Sequence, residues 1–83
     1  MPDYRFCLER ENSRSREIAF DLPDVWAVDK VAKHVARGLA AEELGRGSLH
    51  LAQDVMVLDN DDTVVARYPL ADFLHIEADT LRA

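Results

Sequence analysis

Between Leu22 and Gly45 the chain has one long stretch that reads as helix, and the rest is short segments that need something to pack on. At 100° per residue Val28, Val31, Ala32, Val35, Ala36 and Leu39 fall on one stripe, the spacing of an amphipathic helix over 24–44. Asp29, Lys30, Lys33 and Arg37 fall on the other side, with Asp29 and Lys33 at i,i+4 spacing for an ion pair. Asp24 after Pro23 has the chemistry of an N-cap, and Gly45 and Gly47 bracket the stop. Gly38 inside the helix is read as tolerated, at a cost of roughly 1 kcal/mol relative to alanine. Burying Val28, Val31, Val35 and Leu39 contributes on the order of 6–12 kcal/mol as an upper bound. In a chain of 83 residues, that ridge decides the architecture.

The remaining apolar residues alternate with period two. Tyr4, Phe6 and Leu8 share one side of a first strand; Ile18, Phe20 and Leu22 share one side of a second, after a polar turn or loop from Arg10 to Arg16. Asp54–Leu58 and Thr63–Tyr68 form a second pair around the turn formers Asp59-Asn60-Asp61-Asp62. Pro69 ends the last strand, and Leu70, Phe73 and Leu74 recur at helical spacing over 69–75. The expected fold is α+β: two antiparallel hairpins as one four-stranded sheet, ββαββ, with the helix on one face. The expected domain is 1–76, with a frayed polar tail at 77–83.

One helix covers one side of a sheet. Met56 and Leu58 point away from the helix if Val55 and Val57 face it, and Cys7 and Val65 have the same parity in their strands. The reverse face is therefore expected to be partly apolar and exposed, and such faces on small domains usually meet another chain. Cys7, Met56, Leu58 and Val65 are the candidate interface, most simply of a homodimer.

Charge narrows the partners. Sixteen Asp and Glu against ten Lys and Arg leave −6. Arg10, Arg14 and Arg16 are interleaved with Glu9, Glu11 and Glu17, so direct nucleic-acid binding is not expected. No apolar run approaches the ~18 residues of a membrane span, and the start of the chain lacks a signal-peptide core. A single cysteine excludes an internal disulfide and fits a reducing compartment, so the cytoplasm is the expected location.

Motifs that carry chemistry are sparse. Pro2, if exposed as an N-terminal amine, has the chemistry of a tautomerase-like general base, with Arg5 or Arg67 to hold a carboxylate substrate. The plainer reading is a proline leading into a strand. His34, His50 and His75 are far apart and show no metal-ligand spacing, and Cys7 has no local activating partner. The Asp59–Asp62 run lacks the glycine and glutamate of a calcium-binding EF-hand loop and reads as a hairpin. No phosphate-cradling or nucleophile-elbow glycine motif is present. Trp26 and Leu44 lie off the main helical stripe at similar angles, where they either pack on a terminal segment or meet a second chain.

Four short motifs are similar to those of a large group of short bacterial proteins of unknown function. They are Met1-Pro2-Asp3-Tyr4-Arg5-Phe6, Leu22-Pro23-Asp24 before the helix, Val57-Leu58-Asp59-Asn60-Asp61-Asp62-Thr63-Val64, and Tyr68-Pro69-Leu70. Arg5 departs from the aromatic usual in that group, and Asp62 stands where its hairpin glycine often sits. The resemblance implies a stand-alone ββαββ domain and brings no activity with it. The expectation is a non-enzymatic interaction or regulatory module that self-associates and needs no cofactor or metal. The alternatives are a small enzyme using Pro2 and an antitoxin-like accessory regulator, and the latter requires a basic patch.

Overall fold

The computed structural model describes residues 3–75. The strands are β1 (Asp3–Arg10), β2 (Ser13–Arg14), β3 (Ile18–Asp21), β4 (Asp54–Leu58) and β5 (Val64–Pro69), and the long helix is α1 (Val28–Gly45). All pairings are antiparallel. β1 is central, with β4 and then β5 on one side and both β2 and β3 on the other. β2 and β3 are thus two pieces of one interrupted strand, and the ββαββ, α+β architecture expected from the alternation is present.

The first hairpin is tighter than its polar sequence suggests. Pairing runs to Arg10↔Ser13, so the turn is Glu11-Asn12 rather than the whole Arg10–Arg16 segment, and Glu11 takes a left-handed φ of 54°. At Ser15 the ladder breaks but its hydrogen bonds do not. Ser15 N–H donates to the Leu8 carbonyl at 2.8 Å, and the Leu8 N–H donates to Ser15 Oγ at 2.8 Å. A hydroxyl thus stands in for a strand carbonyl across the interruption, which keeps β1 satisfied.

Asp24 caps as its position suggests, though what it caps is a 3-10 turn, Val25–Ala27, that feeds α1. Its carboxylate accepts from the N–H groups of Trp26 and Ala27 at 3.0 and 3.2 Å. At the other end Ser48 N–H reaches the Glu43 carbonyl and Gly47 N–H the Leu44 carbonyl, with Gly47 at φ 112°. These are the paired bonds of a Schellman stop, and glycine supplies the left-handed residue it requires.

The core lies between α1 and the β1/β4 centre of the sheet. Val28, Ala32, Val35, Ala36 and Leu39 meet Tyr4, Phe6, Leu8, Val55 and Val57. Leu22 and Leu70 close the edges, with Leu70 on a 3-10 turn, Leu70–Phe73, where a short turn of helix is expected. Phe20 is partly exposed yet packs edge-on to Phe6, with ring centroids 5.7 Å apart. Met1, Pro2 and 76–83 lie outside the described residues, and with them the expected frayed tail.

Two substitutions test this packing. Leu39 is buried in the middle of the ridge, so Leu39→Ala should lower unfolding free energy by about 2–5 kcal/mol in urea denaturation. A Cβ at Gly38 would meet nothing within 4 Å, so no strand approaches there, and the residue is tolerated rather than required. Gly38→Ala should therefore stabilise the protein by about 0.5–1 kcal/mol. A loss of stability there would mean that α1 contacts something on its outer side.

Candidate functional site: the reverse of the sheet and its edge

The face of the sheet away from α1 is built from three cross-strand rows. The pairings place Arg5, Leu58 and Val64 in one row, Cys7, Met56 and Arg67 in the next, and Glu9, Asp54 and Pro69 in the third. Apolar residues occupy the centre. Cys7 and Met56 are fully buried and Leu58 is 3% exposed. This overturns the expectation of an exposed apolar reverse face: Cys7, Met56 and Leu58 offer no contact surface in the single chain. Of the four candidate interface residues, Val65 alone is exposed, at 37%.

Arginines explain the closure. Arg67 brings its guanidinium to 3.5 Å from the Met56 sulfur, is paired with Glu9, and lies 3.4 Å from an Asp54 oxygen. Arg5 is paired with Asp62, donates to the Asp59 carbonyl at 2.9 Å, and lies 3.4 Å from Glu17. Arg14 approaches Glu9 at 3.6 Å. Long arginine stems cover apolar neighbours while their heads reach carboxylates at the rim. Arg5 stands directly across the ladder from Leu58.

Electrostatics follow from these pairings. The hydrogen bond from Arg67 holds Glu9 below the usual carboxylate range, and the bond from Arg16 does the same to Glu42 on α1. Burial pushes the Cys7 thiol up, and the charge of Glu17 adds to it, so the thiol is protonated and inert at neutral pH. On the helix side Asp29 accepts from the Tyr68 hydroxyl and forms no ion pair with Lys33, contrary to the i,i+4 expectation. Burial first, and Asp29 second, push the Tyr68 phenol up to about 12.

The other candidates disperse. Pro2 falls outside the described residues, and Arg5 and Arg67, offered as its substrate-holding partners, are engaged by carboxylates of the chain itself. His34, His50 and His75 are all exposed and sit on α1, the loop after it and the end of the described chain. Among the described residues no group of three His, Cys, Asp or Glu is placed to hold a metal ion. Asp59–Asp62 is a hairpin turn, with Asp59 Oδ1 accepting from the N–H groups of Asp61 and Thr63. Asp62 takes the glycine-like φ of 63°, which an aspartate tolerates better than most residues, and its carboxylate meets Arg5.

Two features escaped sequence reading. Gln53 is the one buried polar side chain among the described residues; its Nε2 donates to Glu43 Oε1 at 2.9 Å and to the His50 carbonyl at 2.7 Å. It ties the loop after α1 to the helix, and no local pattern marks it. Beside it lies a polar depression of about 180 Å³ lined in part by Arg10, Arg14, Arg46 and Glu43. The second feature is the edge of the sheet. β5 pairs with β4 alone among the described strands, and Val64 and Val65 are 44% and 37% exposed along it.

The fold and this face define a small α+β domain with one helix-covered and one arginine-covered sheet face. The chain belongs to a family recognised as a domain of unknown function, DUF6894, whose family model matches residues 4–71. No curated protein and no solved structure matches it. Among the described residues no helix is long and apolar enough to cross a membrane.

The pH dependence of stability should carry both signatures. Glu9 is lowered in the folded state, so its contribution is present above the ordinary carboxylate range and is lost as pH falls through its folded value. Glu9→Gln should flatten the acid side of a stability profile from urea denaturation. Tyr68 is raised, so its contribution is complete below about 10, the unfolded value, and is lost as pH rises towards about 12. Tyr68→Phe should flatten that alkaline limb; an unchanged limb would show that the Tyr68–Asp29 contact does not persist in solution.

Proposed function

We infer that the protein is a non-enzymatic interaction module of the cytoplasm that self-associates through its sheet, by pairing β5 of one copy antiparallel with β5 of another. The observation that carries this reading is the edge of β5, unpaired among the described strands, beside the two exposed valines. An unpaired strand presents a row of N–H and C=O groups and is a template for another strand unless something blunts it. Proline blunts β5 only at its final residue, Pro69. The opposite edge is broken between Arg14 and Ile18, which makes it the poorer template. Pairing at β5 would bring the valines of two copies together, and Arg67 with its carboxylate partners would flank the joint. The protonated, buried Cys7 supports a structural thiol in a reducing compartment rather than a reactive one.

The interface is small, so a micromolar dimer is expected. Sedimentation velocity over a concentration series should show a monomer–dimer equilibrium. Val65→Lys should weaken it by about tenfold or more while the circular dichroism stays unchanged, because the side chain is exposed. A wild-type monomer at all concentrations, or a Val65→Lys dimer of unchanged affinity, contradicts self-association through β5.

A further inference from the structure

The most anomalous side chain in the described structure is Trp26. It is the single tryptophan of the chain and is 83% exposed, at the entrance to α1. Hiding an indole is worth far more than leaving it in water, so an aromatic this open on a small domain asks for a contact. From Trp26 the outer ridge of the helix continues through Lys30, Lys33 and Arg37 to Leu44, at steps of four, three, four and seven residues. These steps keep Lys30, Lys33, Arg37 and Leu44 on one side of α1, away from the sheet, and exposed Trp26 lies on the 3-10 turn just before it. Lys30, Lys33 and Arg37 are exposed, Leu44 is 60% exposed, and none of the three cations is in an ion pair among the described residues. In a chain of net charge −6, most other described arginines are neutralised by carboxylates, and these three are not.

At the Leu44 end the ridge opens into an apolar groove of about 360 Å³. Ala40, Ala41, Leu44, Leu49 and Leu74 line it, with Arg37 at its rim. Arg37 is steadied there by donating its Nε–H to the Phe73 carbonyl at 3.2 Å. The surface therefore has an aromatic anchor point at one end, an apolar groove at the other and, between them, three cations without an ion pair among the described residues. Trp26 and Leu44 are 18 steps apart along the chain, about 27 Å at 1.5 Å per step.

We propose that this ridge is a docking surface for an acidic, amphipathic helical segment of another protein, laid along α1. Carboxylates of the segment meet Lys30, Lys33 and Arg37, one of its apolar residues enters the groove beside Leu44, and another covers Trp26. Charge complementarity selects an acidic partner, and the apolar features at both ends set its register. Three cations in one short row are few for a nucleic-acid backbone, where binding rests on many phosphate contacts. The ridge lies on the far side of the molecule from the reverse sheet face, so the proposal does not depend on self-association through β5.

Trp26 reports on its own site. The full chain would be titrated with a synthetic glutamate-rich helical peptide, about 18 residues long and carrying leucines along one face, while indole emission is followed. A saturable blue shift is expected. Lys30→Glu with Lys33→Glu should weaken binding by about tenfold or more at unchanged circular dichroism, and so should replacing the peptide leucines by serine. Unchanged emission, or binding indifferent to either change, overturns the proposal. So does a shift produced only by phosphatidylglycerol vesicles or duplex DNA, which would assign the ridge to a membrane or to nucleic acid. A shift that appears on concentrating the protein without peptide would assign it to a second copy. Binding by a chain ending at His75 but not by the full chain would assign the groove to the chain's own last residues.

Discussion

The seating of α1 on the paired centre of the sheet, β1 against β4, is the interaction on which the rest depends. Phe6, Leu8, Val55 and Val57 are fully or almost fully buried beneath Val28, Ala32, Val35, Ala36 and Leu39. Small residues alternate with larger ones along this ridge, and Ala32 and Ala36 let the helix approach the strands closely. Every other element is attached to that sandwich. β3 and Leu22 close one side of it, while Leu70 closes another. Gln53 fastens the connecting loop to the end of the helix. Beyond this core the described residues hold only the three-residue cluster of Cys7, Met56 and Leu58, so loss of the ridge means loss of the fold.

The reverse face solves a different problem. Among the described residues no second layer lies over Cys7, Met56 and Leu58, and the sheet sets arginines of its own strands beside them. Arginine is suited to this, since its stem is apolar, its head forks to two carboxylates, and its charge persists at any physiological pH. The carboxylates come from four places: Glu9 on β1, Glu17 in the break before β3, Asp54 on β4 and Asp62 in the second hairpin. Closing both faces leaves contact to the strand edge at β5 and to the outer ridge of α1. These two surfaces point in different directions and differ in chemistry, one offering backbone groups and valines, the other cations between apolar ends.

Much of this was legible in the residues. The 3.6-residue period of Val28 to Leu39 and the two-residue period of Tyr4-Phe6-Leu8 set the helix, the strands and the core-facing sides without knowledge of tertiary contacts. Asp24 and Gly47 marked the ends of the helical segment through chemistry local to each. Parity also separated Cys7, Met56 and Leu58 from the core side correctly, yet misjudged their exposure. Whether an apolar residue is covered depends on which neighbour lies across the strands. Arg67 sits beside Met56 only because of a pairing that joins residues distant in sequence. The same reason hid the Tyr68–Asp29 contact, in which a strand residue took the carboxylate that helical spacing assigned to Lys33. The ridge from Trp26 to Leu44 was half visible, since its period is in the sequence but the lack of carboxylates facing it is not.

The central physical claim is that both sheet faces are closed, one by a helix and the other by arginine stems. The single cysteine is fully buried in the reverse-face cluster with Met56 and Leu58, which makes its reactivity the most direct test. In the native protein at neutral pH, Cys7 should react with a water-soluble disulfide reagent only as fast as the domain opens, and orders of magnitude more slowly than in urea. Rapid, stoichiometric labelling of the folded protein, at the rate of an exposed thiol, would show that the reverse face is open and would contradict the account.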